Sequence, residues 1–377
     1  MNILINLAPL KAGGGQNVGL NLLSGLQELD DTEVTLFYYV SAKTIISEKI
    51  KHLYPNQFIE GPHNTVKRVL FERTKLRRFI ARNNIDIVYS CFGYAWVGKR
   101  TKQVCGMAES NIMFPEINFW KEYTGFKRFI KDAVDAYRKW GYLQAEALVF
   151  ENEAMYKRNE MIFGKGKKAT FIRPSIAISD EGNGGFRLEK YYEDSKVGLF
   201  LCGWQLNKNI MIIPDLVRLM KDLGVHFEII ITVGHDDANP IATQFKNRLN
   251  NLQVSDYVHM VGKVDRKNLS ALYRKIDYVF LLSRLESFSN NIIESWYFEK
   301  PLIISDAEWA RGICKDAAVY VDRDDPKEIV KKIIEAEKSG DINKVVLQGI
   351  EECRTYPSIQ ERTRQEICYV KKIAKET

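Results

Sequence analysis

Short, nearly uninterrupted apolar runs alternate with longer stretches of helical periodicity along this chain, and the alternation occurs twice. The first series has strand-length runs at 2–7, 34–40, 86–90, 102–107, 147–151 and 169–173. The second has them at 197–202, 227–233, 257–262, 277–282, 301–305 and 318–321. Between them lie segments such as 16–29, 209–223 and 268–275, which read as helices. Strands apolar throughout are buried on both faces, and helices between them imply a parallel sheet. The expected fold class is therefore α/β, with two doubly wound parallel-sheet domains. The polar, glycine-rich segment 179–186, beginning Ser179, Asp180, Glu181, Gly182, is the expected linker between domains at 1–180 and 190–355. Two such units leave an interdomain cleft, a favoured ligand site.

With 377 residues, 45% hydrophobic and 27% charged, the chain has material for two sizeable cores. No run of about 18 apolar residues exists, so no transmembrane helix is expected. The first seven residues lack the basic start and cleavage site of a signal peptide, which points to folding in the cytoplasm. Six cysteines and five histidines are scattered without ligand spacing, so no metal and no redox motif is expected.

Charge is lopsided. Residues 1–180 hold 26 Lys and Arg against 18 Asp and Glu, or +8, which leaves −1 for the remainder of a chain of net charge +7. Much of the excess lies in 66–82, where Lys67, Arg68, Arg73, Lys75, Arg77, Arg78 and Arg82 accompany one acid, Glu72. Apolar residues at 66, 69, 70, 76, 79 and 80 make this a basic amphipathic helix. It reads either as a packed helix with a solvated face or as an attachment to an anionic membrane surface through Lys67, Arg68, Arg73, Lys75, Arg77 and Arg78. The stretch 119–129 mixes aromatics and bases in the same way. No nucleic-acid-binding module is present, so nucleic acid is not an expected partner.

Two stretches carry the pattern of a phosphate site. Gly13, Gly14 and Gly15 follow the first strand and open a helix, which lets backbone approach an anion, although Val18 stands where a dinucleotide fingerprint needs its third glycine. In the second series, the run at 277–282 leads through Arg284, Glu286, Ser287, Phe288, Ser289 and Asn290 into a helix containing Glu294, and Pro301 forbids its continuation. A strand-to-helix turn at a carboxyl edge suits an anionic ligand. The alternative is a capping box, with Asn291 as cap and Glu294 returning the bond. Lys208, in the loop after 197–202, stands at the same sheet edge.

Taken in order, Gly203 with Lys208 and Asn209, then 257–262, then Leu269, Leu272 and Tyr273, then Ser283, Glu286, Ser287, Phe288, Ser289 and Glu294, then Lys300 and Pro301, the second half resembles family 4 of the retaining glycosyltransferases. The resemblance covers about residues 196–335, and the first half shares only the strand pattern and the glycine loop. It implies the GT-B fold of two facing Rossmann-like domains, with the helix near the C-terminus (359–377) packing back on the first. It also implies a donor site in which Glu286 bonds hydroxyls of the transferred sugar and Glu294 bonds those of the ribose. Lys208 and the backbone around Phe288 and Ser289 would meet the diphosphate, and Gly14 and Gly15 would lie against the reaction site. The family usually has an arginine where this chain has Trp204, so Trp204, Arg284 or another base would take its part. It often has a histidine in the first domain; here Glu109 or Asn111 would stand in that place.

The resemblance thus implies metal-independent, retaining transfer from a nucleotide diphosphate sugar, UDP- or GDP-linked, to a lipid-linked or oligosaccharide acceptor in surface-glycan synthesis. No cofactor is implied, and the expected location is peripheral, on the inner face of the cell membrane. Two other functions fit the same residues: an inactive GT-B subunit that binds a partner or membrane, and a nucleotide-sugar epimerase.

Overall fold

Each of the twelve apolar runs lies on a strand whose ends fall within two residues of it. The computed structural model describes all residues except 99, 179–187, 189, 191, 235, 237 and 377, and the side chain of residue 266. The linker expected at 179–186 and the histidine at 235 therefore lie outside the described residues. Among the described residues the strands form two wholly parallel sheets. The first comprises β1 (Asn2–Asn6), β2 (Thr35–Ser41), β3 (Phe58–Gly61), β4 (Ile87–Ser90), β5 (Lys102–Met107), β6 (Ala147–Phe150) and β7 (Lys168–Phe171), in the order β3-β2-β1-β4-β5-β6-β7. The second comprises β8 (Lys196–Phe200), β9 (Phe227–Ile231), β10 (Val258–Met260), β11 (Tyr278–Leu281), β12 (Leu302–Ser305) and β13 (Val319–Val321), in the order β10-β9-β8-β11-β12-β13.

β3 is the strand that the apolar pattern does not announce. It pairs with β2 alone, at the sheet edge, and its Phe-Ile-Glu residues are only half-buried. An edge strand needs no continuous apolar run.

Helices around these sheets include α1 (Gly13–Gln27), α2 (Thr65–Phe71), α3 (Arg77–Arg82), α4 (Gly125–Gln144), α5 (Ile213–Asp222), α6 (Leu269–Tyr273), α7 (Asn290–Tyr297) and α8 (Ile359–Lys375). α1 starts three residues before Gln16, at Gly13, whose φ of +60° suits a glycine. α5 starts later than 209 because Asn209 adopts the left-handed conformation (φ 58°), which breaks 206–212 into two short 3₁₀ turns. A π turn at Glu72–Leu76 joins α2 to α3.

The chain divides into two compact units. One contains Met1–Glu116, Tyr123–Ala177 and Pro357–Thr377; the other contains Ile117–Glu122 and Ile178–Tyr356. α8 buries Ile367, Val370 and Ile373 in the first core beside Leu23 and Leu26 of α1. The two helices approach so closely at Gly25 that a Cβ there would lie 2.1 Å from Thr363 Oγ1. In the second unit Phe200 and Phe280 stack at 4.9 Å between β8 and β11, each almost wholly buried. Burial of such a side chain contributes about 2 to 3 kcal/mol.

Candidate functional site

Strand order in the second sheet reverses direction beside β8. The chain proceeds from β8 to β9 and β10 on one side, then returns to place β11, β12 and β13 on the other. Such a reversal opens a crevice at the carboxyl ends of the two strands that flank it. Here those strands are β8 and β11.

The loops leaving them are knitted together. Arg284 N–H donates to Asn207 O at 2.8 Å, and Asn207 Nδ2 donates to Leu285 O at 3.1 Å. This brings Lys208 Nζ to 2.5 Å from Glu286 Oε1, with the two side chains 20% and 14% exposed. A charge pair at that depth is sheltered yet reachable by a ligand. Asn209 Nδ2 donates to Arg323 O at 2.5 Å, which adds the loop after β13 to the assembly.

Glu294 lies on α7 and accepts the Tyr273 hydroxyl at 3.0 Å. Tyr273 is fully buried and stacks on Phe298 at 4.8 Å, so its position is set by packing. Burial and the neighbouring Glu294 push its hydroxyl well above the ordinary tyrosine value, and it remains a donor. The capping-box alternative fails. The cap is Ser289, in extended conformation and without a side-chain bond to the helix, while Asn291 is inside the helix and donates to Leu201 O at 3.1 Å. α7 therefore begins with no side-chain cap and no acid in its first turn, at the edge where β11 ends. Backbone N–H groups at such a start attract an anion.

The remaining residues of the turn fall as follows. Ser287 and Phe288 are half-buried, Ser289 is 9% exposed, and Asn290 is exposed. The Phe288 ring turns to Tyr356, 6.1 Å away. Two buried polar atoms beside these loops, Asn207 Oδ1 and Ser283 Oγ, have no hydrogen-bond partner. Orphans of this kind are uncommon in native proteins and call for an explanation such as a ligand or water. Burial pushes the Cys202 thiol, at the end of β8, up to about 12, which makes it a poor nucleophile.

Several expected residues play other parts. Trp204 does not replace an arginine, because its indole donates to Gly234 O at 3.2 Å and packs edge-on to Phe245 of the core. Arg284 is at the site but grips Glu122, at 3.1 and 2.5 Å, and the Phe119 carbonyl at 3.2 Å. That explains why the segment Ile117–Glu122 belongs to the second unit. The cation that the sequence reading omitted is Arg323, 12% exposed, with Nη1 at 3.4 Å from Asn207 O. Burial lowers its pKa from the usual arginine value, and the nearby Arg284 acts in the same direction. No motif surrounds Arg323, and its only sequence signal is its place just after a strand.

In the first unit Gly14 and Gly15 lie in the first turn of α1, after β1, where that sheet also reverses between β1 and β4. A Cβ on Gly14 would meet nothing, and one on Gly15 only Leu10 at 3.5 Å. Neither glycine is required by internal packing. Glu109 and Asn111 follow β5, but both side chains are committed to α4: Tyr142 donates to Glu109, and Asn111 Nδ2 donates to Asp135 at 2.6 Å. Of the basic stretch, Lys67, Arg73, Lys75, Arg77 and Arg78 are exposed. Arg68 is instead held inward, its Nε 3.3 Å from the buried Glu72, so it is not part of the exposed basic face.

Comparison with known proteins bears on the fold and on the second unit. Residues 193–348 match the model of the family described as glycosyl transferases group 1. No curated protein matches the chain. Among solved structures, the sucrose-phosphate synthase of Thermosynechococcus elongatus is similar with a TM-score of 0.74 at 11% identity, over 99% of each chain. A glycosyltransferase from Rickettsia africae ESF-5 gives 0.72 at 15% identity, over 100% of this chain and 99% of that one. Anabaena Alr3699/HepE, solved in complex with UDP and glucose, gives 0.67 at 11% identity, over 99% of this chain and 100% of that one. Together with the two parallel sheets, these likenesses show that the chain has the GT-B fold, and its second unit carries the group 1 glycosyl transferase pattern.

Proposed function

We propose that this protein is a retaining glycosyltransferase. It moves a sugar from a UDP- or GDP-linked donor to a lipid-linked or oligosaccharide acceptor in surface-glycan synthesis, working peripherally at the inner face of the cell membrane. The observation that carries the reading is the convergence of Lys208, Glu286 and the uncapped start of α7 at the reversal point of the second sheet. The group 1 match over the same unit supports it.

In this reading Glu294, oriented by Tyr273, accepts the ribose hydroxyls, and Glu286 accepts hydroxyls of the transferred sugar. Charge that develops on the departing diphosphate is met by Lys208, by Arg323 and by the N–H groups opening α7, all in place before the reaction begins. A metal ion is not needed for that task. In this reading both glutamates bind the donor, whereas a glycoside hydrolase would use such a pair as acid and nucleophile. The glycine turn of α1 contributes an open backbone surface in the first unit. The exposed bases of 66–82 support attachment to an anionic surface, each contributing about 1 kcal/mol near the headgroups.

Calorimetric titration with UDP, GDP and their sugars tests the donor site. Glu294→Ala is expected to weaken binding by roughly tenfold to a hundredfold, the cost of hydrogen bonds to a charged acceptor. Unchanged affinity would overturn the assignment. Release of free nucleotide diphosphate on turnover excludes an inactive subunit, and product formed without acceptor would indicate an epimerase.

A further inference from the structure

α4 is an amphipathic helix turned inside out. In a globular protein the apolar stripe of a surface helix faces the core and its charged side faces water. Along the 20 residues of α4 only Gly141 and Tyr142 are buried. Phe126 is 76% exposed and Phe129 67%, and Ile130, Val134, Tyr137, Trp140 and Leu143 are exposed as well. Spacings of three and four residues put these seven side chains on one face.

The opposite face holds the helix to the first unit through polar groups and the buried Tyr142, while Tyr137 and Trp140, at the C-terminal part of the apolar face, touch Trp96 and stay part-exposed. Asp135 accepts from Asn111, Tyr142 donates to Glu109, and Arg138 Nε lies 3.7 Å from the same glutamate. Local packing is also provided by Gly141, where a Cβ would come within 2.7 Å of Tyr94. The outward orientation of the apolar stripe is therefore built into the fold by a specific set of contacts.

We propose that the apolar face of α4 inserts into the surface of a bilayer rich in anionic lipid. Charge decides the occupant. α4 carries Lys127, Arg128, Lys131, Arg138 and Lys139 against Asp132 and Asp135, a net charge of +3. Arg128 pairs with Asp132 at 2.9 Å, while Lys127 and Lys139 are exposed. The basic rod of α2 and α3 is joined to α4 through the loop after β4. Arg73 lies 4.0 Å over the ring of Trp96, whose Nε1 donates to Tyr137 Oη at 2.5 Å and whose ring packs on Trp140 at 4.7 Å. Val66 and Leu70, 81% and 67% exposed, extend apolar surface along α2. A second copy docked on this face would bring like charges together, whereas an anionic headgroup layer neutralises them while the rings enter the acyl boundary. Tyr and Trp are at home at that depth. Among the described residues no helix is long and apolar enough to cross a membrane, so α4 lies in the interface.

This inference rests on the membrane part of the proposed function, for which it names the inserting element, and it does not depend on the sugar-transfer part. The test is co-sedimentation of the full chain with phosphatidylglycerol-containing vesicles and with phosphatidylcholine vesicles, at low salt and at roughly 1 M salt, where the Debye length shrinks to about 3 Å. The expected result is binding to the anionic vesicles that persists in part at high salt, and a double variant Phe126→Ser/Phe129→Ser that partitions about a hundredfold more weakly, on the order of tenfold per ring. Both rings are exposed, so the variant is expected to keep its fold by circular dichroism and its affinity for UDP or GDP by calorimetry. Three results would overturn the proposal: no binding of the unmodified chain to anionic vesicles, undiminished binding of the folded double variant, or self-association that the same substitutions abolish while vesicle binding is absent. Absence of UDP and GDP affinity in the unmodified chain would count against the donor site and leave this face untouched.

Discussion

Two glutamates sit just past the carboxyl end of a central strand, one in each unit, and they meet different fates. Glu151 follows β6 and is sealed. Arg362 of α8 donates to it at 2.5 Å and to Glu366 at 2.9 Å, and all three side chains are at most 10% exposed. Glu286 follows β11 and is left with a lysine on a loop, at a depth that a ligand can reach. In the first case the cation comes from a packed helix, so the charges are consumed in holding the chain together. In the second it comes from a lysine on a part-exposed loop, so the same chemistry stays within reach of solvent. Burial of the cation's source, more than the presence of an ion pair, separates a sealed carboxylate from one that a ligand could reach.

The largest expected effect breaks the sealed cluster. Arg362→Leu leaves two buried carboxylates facing each other and is expected to lower the unfolding free energy by about 3 to 5 kcal/mol in urea titrations. A loss below about 1 kcal/mol would show that Glu151 is as open as Glu286. Lys208→Met should do the reverse. Its pair is partly exposed, so stability is expected to change by about 1 kcal/mol or less, while nucleotide affinity falls by an order of magnitude or so because a charge-assisted contact to phosphate is lost. If Lys208→Met instead unfolds the protein and leaves affinity intact, the contrast fails. The smallest effect sharpens the second site. Tyr273→Phe removes one hydrogen bond to Glu294 and is expected to cost about 1 kcal/mol of stability with a several-fold weaker donor affinity. An unchanged donor Kd in a folded Tyr273→Phe variant would mean that Glu294 needs no help in orientation.

Much of the architecture is legible in the chain because parallel strands are buried on both faces and must be apolar throughout. That requirement is local, and it locates twelve strands. β3 escapes it as an edge strand. α4 escapes for another reason: its apolar residues have helical spacing, but charged residues are interleaved with them, and nothing local says which face meets the protein. The turn from Arg284 to Glu294 is legible as a strand-to-helix junction because Pro301 and the preceding apolar run mark its limits. The residues that complete it are not. Trp204 and Arg284 look like equal substitutes for one arginine until the fold turns the first, half-buried, against the core and sends the second to Glu122, 162 residues away in the chain.

The sequence by itself determined the fold class, the repeated α/β series, the place of Glu286 and Lys208 in the loops that follow two strands and that of Glu294 on the next helix, because each follows from hydrophobic periodicity and short-range turn chemistry. Only the tertiary structure decided that Asn291 is not a cap, that Arg323 joins the site, that Arg68 turns inward and that α4 shows its apolar side to solvent. Those outcomes depend on partners distant in sequence, and a side chain's direction is set by whichever of them the folded chain brings within reach.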